Sequence, residues 1–307
     1  MKHYDFFLKR PVFTGEELEQ YLASEGKEGG LAKETILANH LKKGRIVRVS
    51  SGLFFVTPKK TESRPYMVDP FLIAGKLTPD AVLSHHSALE FYGFGYSIFF
   101  HIYYSASRPI SPLRFNSQLI RGTKFPKALL EAEKVHYGVI TENRYGLELR
   151  VTCLERALVD MLHYPAFGGS WDEIWLSLET LDSSDIDLDK VVEYTLLLGR
   201  ASTAAKVGFF LEQHRELFMV EEPYLKALKE LRPKRPHCMD RFNRKSSRFI
   251  PEWNLVVPPV VYELTFEEEL VFYGEPLDRD DIFALIPRSR YFGETPNIIG
   301  AKAEKIL

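Results

Sequence analysis

Two runs of basic residues are the part of this sequence best suited to chemistry, and that chemistry is the binding of phosphate groups. Residues 27–60 contain eight Lys and Arg against two Glu, and residues 226–248 contain nine against two acids. Several cationic side chains on one face can neutralise the phosphates of a nucleic acid. A charged run can equally be a solvated surface, so the elements that position these residues must be predicted first.

Two short helices are predicted ahead of the first basic run. Residues 1–9 form the first, and Pro11 ends it because proline has no amide hydrogen to donate. Thr14 and Glu17 have the spacing of a capping box, in which each side chain accepts a hydrogen bond from the other residue's backbone amide. We therefore expect a second helix that runs to about Ala23.

A third helix and a hairpin carry most of the first basic run. Within residues 31–43 the apolar side chains fall on one helical face, and Gly44 is placed to end the helix. Residues 45–49 and 53–56 have the composition of two strands, and Gly52 suits the turn between them. Three helices followed by a two-stranded ribbon are typical of a winged helix-turn-helix domain.

In that domain the third helix enters the major groove of DNA and the wing contacts the backbone. Asn39 is the best candidate for reading a base because its amide can form two hydrogen bonds with adenine, and Lys33 is the next. The predicted DNA-contacting residues are Lys33, Thr35, Asn39, Lys42, Lys43, Arg45 and Arg48. A small winged helix can also dock onto a protein, which is the alternative for this region.

The second basic run could supply a further surface for phosphates. Its residues in question are Lys234, Arg235, Arg241, Arg244, Lys245 and Arg248. An ordinary solvated loop is an equally good interpretation of this segment. Two acidic stretches offset both basic runs, so the net charge of -2 conceals them.

Composition excludes several classes of protein. With 307 residues, of which 45% are hydrophobic, the chain is not expected to be disordered. No apolar stretch approaches the roughly 20 residues of a membrane span, and the first ten residues lack the apolar core of a secretion signal. Cys153 and Cys238 fit no metal-binding spacing and are predicted to be reduced thiols, so we expect a cytoplasmic protein.

The length predicts more than one domain. Residues 1–62 are predicted to be the winged helix-turn-helix domain, and residues 63–262 a larger, helix-rich α+β domain. Residues 263–307 form an acidic, aromatic C-terminal extension that we expect to pack on the second domain. The predicted fold class is α+β.

Local patterns predict the elements of the second domain. Residues 83–93 read as a helix capped by Ser84, and residues 98–104, 135–140 and 147–151 read as strands. Further helices are predicted at 171–181, 188–198, 203–213 and 223–231.

A second capping box is predicted at Thr152 and Glu155, at the start of another helix. Arg156 and Asp160 lie four residues apart on that helix, and we interpret them as an ion pair between successive turns.

No pattern typical of an active site is found. His85 and His86 are adjacent, so on a helix they point about 100° apart and cannot bind one metal ion together. Glu148-Leu149-Arg150 resembles a nuclease element only loosely, because arginine replaces the lysine, and Gly169-Ser170-Trp171-Asp172 lacks the second aspartate of a nucleotidyltransferase. We therefore predict no catalytic residue, no metal site and no cofactor.

Four segments together resemble the AbiEi-type antitoxins of bacterial abortive-infection systems. They are G-R-I-V-R-V-S-S-G-L-F-F-V; S-H-H-S-A-L-E-F-Y-G; V-T-C-L-E-R-A-L-V-D-M-L with the following Pro165 and Gly168-Gly169; and A-A-K-V-G-F-F-L-E-Q with a later W-N-L-V-V-P. The resemblance covers roughly residues 5–260. It implies an N-terminal domain that represses the protein's own operon by binding double-stranded DNA at the promoter. It also implies a larger domain that counteracts a nucleotidyltransferase-like toxin encoded nearby, without a stable complex being assumed.

Two other classes of function compete with a DNA-binding autorepressor and antitoxin. One is a metal-dependent nuclease or nucleotidyltransferase that carries a winged-helix head. The other is an adaptor whose winged helix binds only protein. The sequence contains no carboxylate cluster that favours the enzyme, and its basic third helix favours DNA over protein.

Overall fold

A computed structural model describes residues 3–26, 30–57, 68–97, 100–240 and 246–263 of the chain. Residues 1–261 form one compact unit and residues 262–307 a second. The helices are α1 (Tyr4–Lys9), α2 (Gly15–Ser24), α3 (Gly30–Lys42), α4 (Pro70–Ala74), α5 (His86–Tyr92), α6 (Lys127–Glu131), α7 (Leu154–His163), α8 (Trp171–Leu178), α9 (Leu188–Leu198), α10 (Ala201–Gln213), α11 (Glu222–Leu231) and α12 (Pro259–Glu263).

Strands are interspersed with these helices, so the chain mixes helix and sheet as the predicted α+β class requires. The strands are β1 (Val12–Thr14), β2 (Ile46–Ser50), β3 (Leu53–Val56), β4 (Val82–Leu83), β5 (His101–Ala106), β6 (Leu113–Phe115), β7 (Gln118–Lys124), β8 (Val139–Arg144), β9 (Leu147–Thr152), β10 (His237–Cys238), β11 (Arg248–Ile250) and β12 (Leu255–Val257). We call residues 3–57 the head and residues 68–261 the body. The predicted boundary near residue 63 and nearly all of the predicted extension 263–307 lie outside the described residues.

The head is a helical layer on a small sheet. Its three helices pack on an antiparallel sheet of order β1-β3-β2. Phe6, Phe13, Leu18 and Phe54 form the centre of the core between them and are at most 2% exposed. The capping box that opens α2 is confirmed: Glu17 N–H donates to Thr14 Oγ1 at 3.1 Å, and Thr14 N–H donates to Glu17 Oε2 at 2.7 Å.

The strand β1 was not predicted. Its three residues pair with β3, with Val12 opposite Phe55 and Phe13 opposite Phe54. A segment this short has no periodicity of its own, and it is extended because β3 accepts and donates its ladder hydrogen bonds.

The two faces of the head's sheet contact different partners. Phe54 points into the helical core, so the alternation along a strand turns Leu53 and Phe55 the other way. That second face meets the body, where the Phe55 and Phe115 rings lie 5.8 Å apart, edge to face. Lys76 of the body is ion-paired with Glu17 of the capping box. The head is therefore packed on the body.

A six-stranded mixed sheet of order β6-β7-β5-β4-β9-β8 is the centre of the body. Strands β4 and β9 are parallel, as are β5 and β7, and the remaining neighbours are antiparallel. The helices α5 and α7 follow the parallel strands β4 and β9 and pack on each other. Together with α7, the helices α9, α10 and α11 form a helical layer. A smaller sheet of order β10-β12-β11 follows near the end of the described residues.

Two predicted helix caps were wrong. The helix α5 begins one residue later than predicted, because Ser84 N–H donates to Tyr103 O of the sheet and its hydroxyl lies 3.0 Å from Ser105 Oγ. Thr152 is likewise the last residue of β9, so Cys153 becomes the N-cap of α7 without a side-chain cap bond. In both places, pairing of the preceding strand extends to the residue that the local pattern had assigned as the helix cap.

Other predicted boundaries also differ from the observed ones. The strand predicted at 135–140 is found at Val139–Arg144, after turns in which Tyr137 N–H donates to Lys134 O and Gly138 adopts φ 60°. The helix predicted at 203–213 begins at Ala201, and the one predicted at 171–181 ends at Leu178. The helix α9 has the predicted bounds.

Candidate nucleic-acid interface

One stripe of α3 faces away from the head's core. Leu37 and His40 are buried, whereas Thr35, Asn39 and Lys42 are exposed on the opposite side. Their spacing of four and three residues places these three side chains in a row along the helix. The Asn39 amide has no hydrogen bond within the described part of the chain, and it is turned outward as a base-reading side chain must be.

Cations continue this stripe beyond the end of the helix. Lys43 follows α3, Arg45 precedes β2, and Arg48 lies within β2 with its guanidinium 5.3 Å from the centre of the Phe54 ring. All three side chains, and Lys42, are exposed. Among the described residues, none of these four cations has a carboxylate within ion-pairing distance. Their charge is therefore free to attract an anion from solution.

The pKa of His40 reflects the positive charges at the end of α3. Burial lowers the pKa of the imidazole, and the neighbouring charges of Arg45 and Lys43 lower it further. The exposed acids of the head include Glu16 and Glu19 on α2 and Glu34 on α3.

Lys33 and Thr35 are placed less favourably than the other predicted residues. Lys33 Nζ lies 2.7 Å from Glu19 Oε2, and the hydrogen bond to that carboxylate raises the pKa of the lysine. Its side chain lies toward α2, away from the exposed stripe. Thr35 is on the stripe, but its hydroxyl donates to Leu31 O at 2.7 Å and is committed to the helix backbone. The structure thus leaves Asn39 and the four cations that follow it exposed, and sets Lys33 apart.

The turn between β2 and β3 lies close to the body. Its residues Ser51 and Gly52 line a cleft of about 610 Å³ between head and body, and Lys33 lines the same cleft. Gly52 O also accepts the Gly15 N–H at 2.8 Å, which ties the turn to the start of α2.

The second predicted basic surface is described in part. Lys234 and Arg235 follow α11 and Arg248 opens β11, and all three are exposed. Arg241, Arg244 and Lys245 lie outside the described residues. The three described cations have no ion-pair partner within the part of the chain that the structure describes.

A further group of cations was missed by sequence reasoning. Arg108, Arg114, Arg121 and Lys124 are exposed along one edge of the body's sheet. A signal was available, because no acidic residue occurs between Glu90 and Glu131. We overlooked it because four cations spread over 17 residues do not form a dense run.

The adjacent histidines are part of the body's interior. His86 is buried and its Nε2 lies 2.7 Å from Glu173 Oε1. Burial alone would raise the pKa of Glu173, but hydrogen bonds from His86 and from the side chain and backbone of Ser97 lower it to about 2. His85 is 3% exposed at φ 56°, with Nδ1 2.9 Å from Ser84 Oγ. These contacts tie α5 to α8 and to the loop at 93–97, and they leave neither ring open to solvent.

The residues considered for an enzyme do not converge. Across the described ranges, no group of three His, Cys, Asp or Glu side chains is arranged to hold a metal ion. Arg150 donates to the carbonyl of Pro79, and Glu148 is exposed beside the cleft. Ser170 is the N-cap of α8, and the Asp172 that follows it lies in the first turn of that helix.

Comparison with models of known protein families and with curated proteins finds no match for this chain. No helix in the described ranges combines the length and the apolar composition that a membrane span needs.

Proposed function

We propose that this chain is a DNA-binding transcriptional autorepressor and antitoxin whose head is a winged helix-turn-helix domain. The single observation that carries the DNA-binding part is the exposure of Asn39 and of four cations between the end of α3 and β2, none of which has an ion-pair partner among the described residues. A purely structural surface would be expected to pair at least some of these cations with the abundant carboxylates of the same head. Here none of the four has an ion-pair partner among the described residues.

The order of elements in the head supports this assignment. In a winged helix-turn-helix, a helix packed on a small sheet presents its outer face to the major groove. With α3 in the groove, Asn39 reaches base edges, where its amide can pair with adenine. Lys42, Lys43 and Arg45 contact phosphates beside the groove, and Arg48 contacts the backbone from the wing.

The ion pair of Lys33 with Glu19 changes the role proposed for that residue. Releasing Lys33 toward a base would break the ion pair with Glu19 at the helix N-terminus. We therefore assign Lys33 to the packing of α3 against α2, and leave base reading to Asn39.

The antitoxin part of the proposal rests on the resemblance of four segments to AbiEi-type antitoxins. Three of those segments are in the body, at α5, α7 and α10, where they form its interior. The body would counteract a nucleotidyltransferase-like toxin encoded beside this chain. No stable complex with the toxin is required by the proposal.

A gel-shift titration on the chain's own promoter tests the DNA-binding part. In the head variant, Lys42, Lys43, Arg45 and Arg48 are all changed to Ala. We expect its affinity to fall and the slope of log K against log salt to decrease by about 0.9 for each phosphate contact that is lost. A control variant loses four exposed cations elsewhere in the body, at Lys127, Lys134, Arg200 and Arg215, and should bind as the unchanged chain does.

Two further results bear on the proposal. Changing Asn39 to Ala should reduce the preference for the promoter over unrelated DNA, at a cost of about 1–3 kcal/mol at the base it reads. If the head variant binds the promoter with unaltered affinity and salt slope, the DNA assignment is wrong.

The antitoxin part needs a separate assay. Cells expressing the nucleotidyltransferase-like protein encoded next to this chain should stop growing, and co-expression of this chain should restore growth. Expression from an unrelated promoter separates protection from autorepression. Failure of the full chain to restore growth, with promoter binding intact, would remove the antitoxin part and leave the repressor.

A further inference from the structure

The first turn of α10 is not capped by a side chain. The helix has 13 residues and follows Arg200, whose side chain makes no cap hydrogen bond, and no acid lies in its first turn. Thr203 N–H and Ala204 N–H both donate to Arg200 O, at 2.9 and 3.0 Å. Within the described residues, the N–H groups of Ala201 and Ser202 have no acceptor, and both residues are half-buried. These two amides, at the positive end of the helix dipole, are therefore free to donate to an anion.

A buried lysine lies in the next turn of the same helix. Lys206 is 5% exposed, and in the described part of the chain its ammonium has no hydrogen-bond or ion-pair partner. It follows Ser202 by four residues on the same face of α10, and side chains on a helix point back toward its N-terminus. Its Nζ lies 5.7 Å from the centre of the Trp171 ring. An unpaired ammonium therefore extends along the uncapped turn.

The burial of this ammonium is unfavourable unless an anion compensates it. Burial alone lowers the pKa of Lys206 to about 8, and no carboxylate opposes that shift. A lysine that served only to pack would be replaced to advantage by an apolar side chain of similar length, because no desolvated charge would remain. The lysine is therefore best explained by an anion that it binds.

His163 flanks the same turn. Its Nδ1 lies 2.6 Å from Thr203 Oγ1, which places the imidazole beside the start of α10. Burial lowers the pKa of His163 to about 4, and the charge of Asp160 opposes that shift. The charges of Lys206 and Arg200 add to it. The potential beside this turn is therefore positive.

Aromatic side chains lie between this turn and the solvent. Trp171 is half-buried, and Tyr164 is 41% exposed with its ring centre 4.2 Å from that of His163. Exposed aromatic faces can stack on a planar group of a ligand. Because Lys206 is only 5% exposed, a small anion can reach it, whereas the broad backbone of a DNA duplex cannot.

From these contacts we propose that the first turn of α10 binds the phosphate group of a small phosphorylated ligand, with the amides of Ala201 and Ser202 and the ammonium of Lys206 as donors. The oxygens of a phosphate monoester accept several hydrogen bonds at once, and its negative charge compensates the buried ammonium. The phosphate can belong to a nucleotide, whose base would stack on the aromatic rings, or to a ligand without a base. The site is in the body, so the proposal does not depend on DNA binding by the head.

Isothermal titration calorimetry on the full chain tests this site. The probes are inorganic phosphate, ribose phosphate and adenosine monophosphate, and sodium chloride keeps the ionic strength constant. All three probes should bind. Tighter binding of adenosine monophosphate than of ribose phosphate identifies a nucleotide as the ligand, and equal binding identifies a phosphorylated ligand without a base. If none of the three binds to the unchanged chain, the proposal is overturned.

Lys206→Met separates a binding lysine from a structural one. It removes the charge but keeps most of the length, so inorganic phosphate should bind roughly 10- to 100-fold more weakly, as for other lost hydrogen bonds to charged groups. Without ligand, the variant should melt at a higher temperature than the unchanged chain, because an unpaired buried ammonium has been removed. The matched control is Lys134→Met at an exposed lysine, which should alter neither property. A lower melting temperature together with unaltered phosphate affinity would show that Lys206 is structural, and the proposal would fail.

Ala201→Pro is a second variant that does not involve the lysine. Proline fits the first position of a helix, where the amide that it lacks has no partner within the helix. The preceding residue, Arg200, already has the extended conformation that a residue before proline prefers, with φ -97° and ψ 111°. The variant should keep its melting temperature and bind inorganic phosphate more weakly, because one of the two donor amides is gone. If Ala201→Pro and Lys206→Met both bind phosphate as the unchanged chain does, the phosphate binds elsewhere and the assignment to α10 is wrong.

Discussion

Replacing Asp160 by Ala should strongly destabilise the body, because it leaves a buried guanidinium without its carboxylate. Arg156 is 0% exposed and Asp160 1% exposed. Arg156 Nε lies 3.4 Å from Asp160 Oδ2, and the Tyr194 hydroxyl donates to Asp160 Oδ1 at 2.7 Å. The guanidinium also donates to Tyr137 O at 2.6 Å, but no other carboxylate pairs with it in the described residues.

The expected magnitude follows from burial. An exposed pair four residues apart on a helix contributes about 0.3–0.5 kcal/mol, whereas removing one partner of a buried pair costs about 3–5 kcal/mol. For a compact unit of this size, about 2–4 °C of melting temperature is lost per kcal/mol, so Asp160→Ala should lower the melting temperature by roughly 6–20 °C.

Urea and thermal unfolding measure this effect. The matched control is Tyr194→Phe, which removes one hydrogen bond to the same carboxylate and should cost about 0.5–1.5 kcal/mol. The double variant should be less destabilised than the sum of the two single changes, because both act on one carboxylate. A loss below about 1 kcal/mol for Asp160→Ala would show that the pair behaves as an exposed one, and the account of the body's interior would be refuted.

Two further predictions concern packing and pH. A methyl group at Gly208 would lie 2.1 Å from the ring of Trp253, which is 0% exposed, so Gly208→Ala should destabilise the fold by about 1–3 kcal/mol and shift the tryptophan fluorescence. The control is Gly30→Ala, because the carbon added there meets nothing within 4 Å. Equal stability of the two variants would contradict the packing of Gly208 against Trp253. Burial lowers the pKa of His163 from 6.5 to about 4. Between pH 6.5 and pH 4 the unfolded state therefore binds more protons than the folded state. The free energy of unfolding should consequently fall by up to about 3 kcal/mol as the pH drops from 6.5 to 4. In His163→Asn that pH dependence should flatten, and an unchanged slope would show that another group titrates.

Much of the head could be predicted because its signals are local. The Thr14–Glu17 capping box spans four residues, and both of its hydrogen bonds are present. The apolar face of α3 and the turn at Gly52 are likewise encoded within one element or between two adjacent ones. Asn39 and the cations after it were predicted as exposed for the same reason, since residues outside an apolar helical face must face solvent.

Features that depend on distant residues could not be predicted. The strand β1 is extended because β3, about 40 residues later, supplies its hydrogen bonds. Lys33 turns away from the exposed stripe because Glu19, fourteen residues earlier, is within reach. The caps at Ser84 and Thr152 failed because strand pairing takes precedence over a local helix signal.

The sequence by itself determined the local elements, the concentration of basic residues on α3 and β2, and the four-residue spacing of Arg156 and Asp160. Only the tertiary structure decided that this ion pair is buried, and that β1 pairs with β3 in the head's sheet. The physical reason is that helix and turn signals act over a few residues, whereas burial and strand register arise from contacts between segments far apart in the chain.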